Sequence, residues 1–219
     1  MPHLRVEMSG EVAVLTLDRP EKRNALNAVL RDEIADAIEA IDADEQTKVV
    51  VLTGAGSAFC AGFDLTEFDQ GGDVIGQFAE NPHNPFRFHE VLGAFSKPLV
   101  GAINGPALAG GFDLAAQCDV RIASDAAVFG HPEIKFGAPT IVSQLSHIVG
   151  GAIARDLCLS GRRIDATEAH RIGLVIKVVA ADALMEEAIA YARAVSEAPL
   201  EALRTVKRAI NQRAPFVFP

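Results

Sequence analysis

Cysteine is scarce in this chain. Cys60, Cys118 and Cys158 lie far apart and form no Cys-x-x-Cys pair. That excludes a disulfide framework and a thiol-based zinc site, and points to a reducing compartment. Each reads as a small buried apolar residue. Positive charge is short as well: 20 Lys and Arg stand against 29 Asp and Glu, a formal net charge of -9. This balance argues against a nucleic-acid partner and against general attraction to anionic membranes. An anionic ligand then needs a local basic patch. No apolar run reaches about 18 residues, and no basic-then-apolar leader opens the sequence, so the chain reads as cytoplasmic. His3, His83, His89, His147 and His170 show no ligand spacing, so no metal is expected. Low-complexity segments and exact repeats are missing too.

What is there is an ordinary globular composition, 49% hydrophobic and 22% charged over 219 residues. This length fits one large domain or two small ones and buries roughly 70% of the unfolded surface. Leu4–Met8 and Val12–Leu17 alternate around Ser9-Gly10 and predict a hairpin. Leu26, Val29, Leu30, Ile34, Ile38 and Ile41 form a helical stripe that Asn24 or Asn27 can cap. Val49–Leu52 predicts a buried strand, followed by the glycine-rich loop Thr53–Ala58. Residues 70–85 read as a loose surface segment, and Pro85–Phe95 as a helix. Further on, Val120–Ala123 and Ala126–Phe129 predict short strands, with a turn at Gly130–Glu133. Helices follow, from Pro139 to Gly150 and over Ala152–Leu159. Asp165–Glu168 reads as a capping box, Leu174–Val179 as a strand. Two amphipathic helices, about Asp182–Glu197 and Leu200–Gln212, close the chain.

The organising stretch is Ile103–Asp119. The short apolar run Leu99–Ile103 predicts a buried strand, and Asn104-Gly105-Pro106 breaks it. After Ala109-Gly110-Gly111, residues Phe112–Cys118 predict a helix. A glycine pair there leaves backbone N–H groups open, at the positive end of the helix dipole. Beside a carbonyl they would form half of an oxyanion hole; the alternative is that the glycines only allow close packing. The unit of strand, glycine turn and helix occurs at Val49 and again at Leu99, which suggests stacked β–β–α turns with a helical C-terminal part.

Five stretches carry a family resemblance: PEKRNALNAVL from Pro20, VVLTGAGSAFCAGFDLTEF from Val50, KPLVGAINGPALAGGFDLAAQCDVRIAS from Lys97, FGHPEIKFG from Phe129 and SGRRIDATEAHRIGLVIKVV from Ser160. They stand in the order in which the enoyl-CoA hydratase/isomerase (crotonase) family carries them, and the chain resembles that family over most of residues 10–180. The resemblance implies an α/β spiral of β–β–α turns over residues 1–180 and a helical segment, 181–219, shorter than the family's. It implies an acyl thioester of coenzyme A as substrate, no cofactor beyond that coenzyme A, and a homotrimer or dimer of trimers. The thioester oxygen would be held by the backbone N–H groups of Phe63 and Gly110. The acid–base carboxylates would be Asp113 and Glu133. Lys22 and Arg23 would meet the phosphates, and the backbone near Ala25 and along Ala61, Gly62, Phe63, Asp64, Leu65 and Thr66 would take the adenine and the pantetheine arm. His131 reads as a supporting or surface group near Glu133.

Three departures bear on the chemistry. Asp113 stands where hydratases of the family usually have Glu; its reach is about 1 Å shorter, a displacement that can cost on the order of a hundredfold. Residues 138–144 lack the family's glycine cluster and are about three residues short, which leaves the acyl group open. The chain stops some tens of residues before the family does, so a modified trimer or a more open site is expected. The first reading is hydration of a 2-enoyl-CoA. The others are double-bond isomerisation by Glu133 alone, and acyl-CoA binding without catalysis. A dinucleotide site at Gly54-Ala55-Gly56 fails, because Phe59 replaces the third glycine.

Overall fold

The computed structural model describes residues 2–67, 85–138, 140 and 142–214. The hairpin strands β1 (Leu4–Ser9) and β2 (Val12–Leu17) pair antiparallel, Leu4 opposite Leu17. From β2 onward the main sheet is parallel. It takes in β3 (Val49–Gly54), β4 (Leu99–Ile103), β6 (Val120–Ser124) and β9 (Lys177–Val179), in the order β1-β2-β3-β4-β6-β9. β2, β3 and β4 are buried on both faces, which is why they read as unbroken apolar runs instead of alternating ones. One face, with Ala13, Leu15, Leu17, Val50 and Leu52, packs on helix α1 (Ala28–Ala43) through Leu30, Ile34, Ile38 and Ile41. The other, with Val12, Val14, Val49, Val51 and Val100, packs on helix α7 (Leu184–Ser196) through Leu184, Ala188 and Ala192. Burying one such Val, Leu or Ile side chain contributes about 1.5–3 kcal/mol.

A second, small sheet positions the site. Its strands are β5 (Ala107–Leu108), β7 (Val128–Gly130) and β8 (Arg163–Asp165), with β5 parallel to β7 and β7 antiparallel to β8. The remaining helices are α2 (Arg87–Ala94), α3 (Gly110–Gln117), α4 (Val142–Val149), α5 (Gly151–Ser160), α6 (Ala166–Arg171) and α8 (Leu200–Arg213). Asn27 caps α1 by accepting from Leu30 N–H, and Asp165 caps α6 by accepting from Glu168 N–H. Asn24 serves otherwise: from a left-handed backbone, its amide spans Arg19 N–H and the carbonyls of Ala55, Ala58 and Phe59. It thereby staples the glycine loop.

Several boundaries shift. α3 begins at Gly110, two residues before the expected Phe112, because Ala109 turns the chain at φ 52 and frees Gly110 to enter the helix. The turn after β7 tightens into a 3-10 helix over Pro132–Phe136. The strand expected from Leu174 pairs only over Lys177–Val179. Val29 lies 50% exposed, at the edge of its stripe. Most of the segment expected as a loose surface, and Pro139, lie outside the described residues. All three cysteines are buried and unbridged, and among the described residues no helix is long and apolar enough to cross a membrane.

Candidate active site

Two glycine corners meet at the start of α3. In the first, residues 61–64 run beside residues 23–26: Ala61 N–H donates to Arg23 O, Leu26 N–H to Gly62 O, and Asp64 N–H to Leu26 O. The Gly62–Phe63 peptide is trans, as every described peptide is. With its carbonyl aimed at Leu26, its N–H points the opposite way. The second corner packs against Gly62. A Cβ placed on Gly62 would stand 2.9 Å from Ala109 Cβ and 3.2 Å from the Gly110 nitrogen. Gly110 is the first residue of α3, where a helix leaves its N–H groups without an intrahelical partner. The corners interlock through their glycines. A Cβ on Gly111 would meet Cys60 O at 2.2 Å, and one on Gly110 would meet the Phe63 ring at 2.8 Å. Both expected amide donors, Phe63 and Gly110, therefore come from adjacent backbone.

The first corner is braced from behind. Asp64 is buried, and Arg19 donates to its Oδ2 at 3.0 Å. The Thr66 hydroxyl and amide donate to its Oδ1 at 2.7 and 3.1 Å. Burial acts to raise the Asp64 pKa, but these donors and the Arg19 charge outweigh it and hold the carboxyl below its usual range. Arg31 donates to Leu26 O and to Glu67, and its guanidinium lies 5.4 Å from the centre of the Phe63 ring. Lys22, Arg23, Leu65 and Thr66 are exposed, and Ala25 and Ala61 half-buried, around the same corner. Asp64 itself points into the fold, so only its backbone faces the corner's open side.

The second corner carries the acids. Ala109 N–H donates to Gly130 O at 2.9 Å, so β7 runs directly into the site. His131 follows, then the 3-10 turn bearing Glu133. Asp113 sits in the first turn of α3, three residues after Gly110. His131 lies between the two acids. Its Nδ1 is 2.8 Å from Glu133 Oε1, and its Nε2 is 3.7 Å from Asp113 Oδ1. The ring stacks on Phe112, with centroids 4.7 Å apart. Among the described residues, none donates a hydrogen bond to Asp113. Burial pushes its carboxyl up to about 7; His131 opposes that shift and Glu133 adds to it. Burial works to lower His131, yet Asp113 and Glu133 overcome it and hold the imidazole above its usual value. Glu133 Oε2 is buried without a hydrogen-bond partner among the described residues.

A carboxyl that titrates near neutrality, beside a carboxylate with an unsatisfied oxygen, can both give and take a proton. The ligand atoms of Asp113, His131 and Glu133 lie within 4.8 Å of one another. The Nδ1–Glu133 bond, when Nδ1 donates, commits that nitrogen to a proton and makes this a proton-sharing cluster.

Thus Phe63 and Gly110 come together, Asp113 and Glu133 come together, and α3 joins the two pairs. Missed in the sequence were the Arg19–Asp64 pair and the burial of His131, which is no surface group at 2% exposure. The apolar Phe129 two residues before His131, on the same side of β7, was the available signal.

Comparison with known proteins agrees. The enoyl-CoA hydratase/isomerase family model matches residues 7–215. A probable enoyl-CoA hydratase of Rhizobium meliloti is 42% identical over 212 residues, covering 95% of this chain and 81% of that protein. The short-chain-enoyl-CoA hydratase of Clostridium acetobutylicum is 41% identical over 213 residues, covering 94% and 80%. The crystal structure of enoyl-CoA hydratase from Bacillus anthracis superposes with a TM-score of 0.87 at 34% identity, covering 95% and 82%. The expected crotonase-like spiral is therefore the fold, and the chain is an enzyme of the enoyl-CoA hydratase/isomerase family.

Proposed function

We propose that the protein adds water across the double bond of a 2-enoyl thioester of coenzyme A. The observation that carries this reading is the pair Asp113 and Glu133, brought from two elements into one buried cluster beside the Gly110 amide. Water attacks the β-carbon and forms the new C–O bond. One carboxyl group takes the water's proton, and a proton is delivered to the α-carbon. Between these events the thioester is an enolate, whose oxygen charge the N–H groups of Phe63 and Gly110 stabilise, each by on the order of 3 kcal/mol. Water and the enoyl thioester supply every atom, so the reaction needs no cofactor beyond the substrate's coenzyme A. Lys22 and Arg23 are the bases for its phosphates, and the backbone of Ala25 and of residues 61–66 binds its arm. Asp113 being an aspartate favours a second reading, isomerisation of a 3-enoyl-CoA by Glu133 alone.

The test is hydration of crotonyl-CoA by wild type and Glu133→Gln. Hydration that falls about 100-fold or more in the variant supports the first reading. Isomerisation without hydration supports the second. Background rates in both proteins, with crotonyl-CoA bound in calorimetry, leave a non-catalytic binder. We also propose a homotrimer or dimer of trimers working in the cytoplasm. Val206 and Ile210 of α8 lie 60% and 45% exposed on one helix face, and three buried free thiols suit a reducing compartment. A monomeric mass in solution would overturn the oligomer.

A further inference from the structure

The hydration proposed above assigns proton transfer to Asp113 and Glu133 and gives no part to His131, which is buried between them. Its surroundings are unlike those of a histidine that only fills the core. His89, for example, is fully buried and its Nδ1 meets the neutral amide oxygen of Gln117. Both ring nitrogens of His131 face carboxyl oxygens, at 2.8 and 3.7 Å. The ring is fixed on one side by stacking on Phe112. Its backbone is fixed by the Ala109–Gly130 hydrogen bond one residue earlier. Glu133 has two chemically equal oxygens, and His131 engages one of them. The other, Oε2, is buried with no hydrogen-bond partner among the described residues.

We propose that His131 is a positioning residue: its Nδ1–H holds Oε1 of Glu133, so that Oε2 alone is presented to the reacting carbons. The proposal rests on the hydratase or isomerase reading above. A carboxylate held at one oxygen cannot rotate the other away, and displacement by about 1 Å can cost on the order of a hundredfold in rate. The titrating groups that face the cluster are few. Asp113 comes from α3 and Glu133 from the histidine's own turn. Cys158 from α5 and Cys60 face the carboxylates, and burial raises both thiols, Cys60 to about 12, so neither carries charge. The charge state of His131 thus answers to the two acids alone. A change of charge on the ring therefore reaches Glu133 directly, through the 2.8 Å contact between Nδ1 and Oε1.

The experiment is steady-state hydration of crotonyl-CoA across pH, with isomerisation of a 3-enoyl-CoA as the parallel assay. The proteins are wild type, His131→Leu, His131→Asn, Glu133→Gln and the double variant His131→Leu/Glu133→Gln. His131→Leu keeps apolar volume and removes both nitrogens; its kcat falls about 100-fold while KM moves within about threefold. His131→Asn keeps a donor near the Nδ1 place without a titrating ring. It recovers kcat to within about tenfold of wild type and flattens one limb of the kcat–pH profile. The double variant is no slower than Glu133→Gln, since the histidine acts only through that carboxylate. If His131→Leu does not fold, His131→Asn alone decides by its pH profile. Wild-type kcat and pH profile in the His131 variants, with Glu133→Gln inactive, overturn this proposal and leave the hydratase reading standing. Inactive wild type overturns that reading itself.

Discussion

The chain writes the same four residues twice, Gly62-Phe63-Asp64-Leu65 and Gly111-Phe112-Asp113-Leu114, and folds them to opposite ends. Asp64 and Asp113 are equally buried, 7% and 8% exposed. Asp64 receives three donors, from Arg19 and from the hydroxyl and amide of Thr66, and is held ionised. Asp113 receives none among the described residues and is pushed up to about 7. Burial pushes both carboxyls up, harder at Asp113, and at Asp64 the donors outweigh it. Those donors come from outside the motif. The first copy braces an amide; the second supplies an acid. An additional glycine separates them as well: Ala109-Gly110-Gly111 against Ala61-Gly62 lets the second copy enter a helix and lie against Cys60 O.

The sharpest break of this comparison is Asp113→Asn. In the proposed hydration Asp113 gives or takes a proton, so removing it lowers crotonyl-CoA hydration by about 100-fold or more. The same change stabilises the fold at alkaline pH. The folded pKa of Asp113 lies above the unfolded value of about 3.9, so its contribution is complete below that value and is lost as pH rises through about 7. Asparagine removes the loss, by at most about 4 kcal/mol near pH 8, and changes little near pH 4. Thermal melts at both pH values check this, and a lower melting point for Asp113→Asn near pH 8 would contradict it.

Asp64→Asn is the mirror case. Its folded pKa is lowered, so its contribution is present above the unfolded value, about 3.9, and is lost as pH falls through the lower folded value. Losing the carboxylate leaves Arg19, nine-tenths buried, with its bond to Ala25 O and no counter-charge. Breaking a buried pair of this kind costs about 3–5 kcal/mol. Melts near pH 8 should therefore move down for Asp64→Asn and up for Asp113→Asn. Shifts of one sign in both would mean that the donors do not separate the two aspartates.

How much of this was readable from residues follows the same division between local and distant causes. The hairpin around Ser9-Gly10, the stripe of α1 and the Asp165 cap depend on neighbours within a turn or two, and each stands where its pattern puts it. The site pairs Phe63–Gly110 and Asp113–Glu133 came from motifs in family order, not from periodicity, and the fold brings each pair together. Arg19 reaching Asp64 across 45 positions, and Asn24 reaching Phe59 across 35, leave no periodic trace. His131 was legible only as a neighbour of Glu133, because its burial depends on Phe112 and on the pairing of β5 with β7. The start of α3 was misjudged because it turns on Ala109, a residue with no left-handed preference held at φ 52 by its neighbours.

The smallest change should come from the first copy's phenylalanine. In the proposed mechanism Phe63 contributes its backbone N–H, and Phe63→Leu keeps that group. Its ring packs edge-on against Phe86 and Phe88, with centroids 6.0 and 6.2 Å away, and under the Arg31 guanidinium. Leucine forfeits these ring contacts, worth about 0.5–1.5 kcal/mol each, while hydration falls less than about tenfold. Gly110→Ala reverses the proportions, because its methyl would stand 2.8 Å from the Phe63 ring and push apart the two amides. Combining Phe63→Leu with Gly110→Ala gives that methyl room, so the double variant should hydrate crotonyl-CoA faster than Gly110→Ala alone. If instead Phe63→Leu by itself abolishes hydration with the fold intact, the side chain and not the peptide is what the first corner contributes.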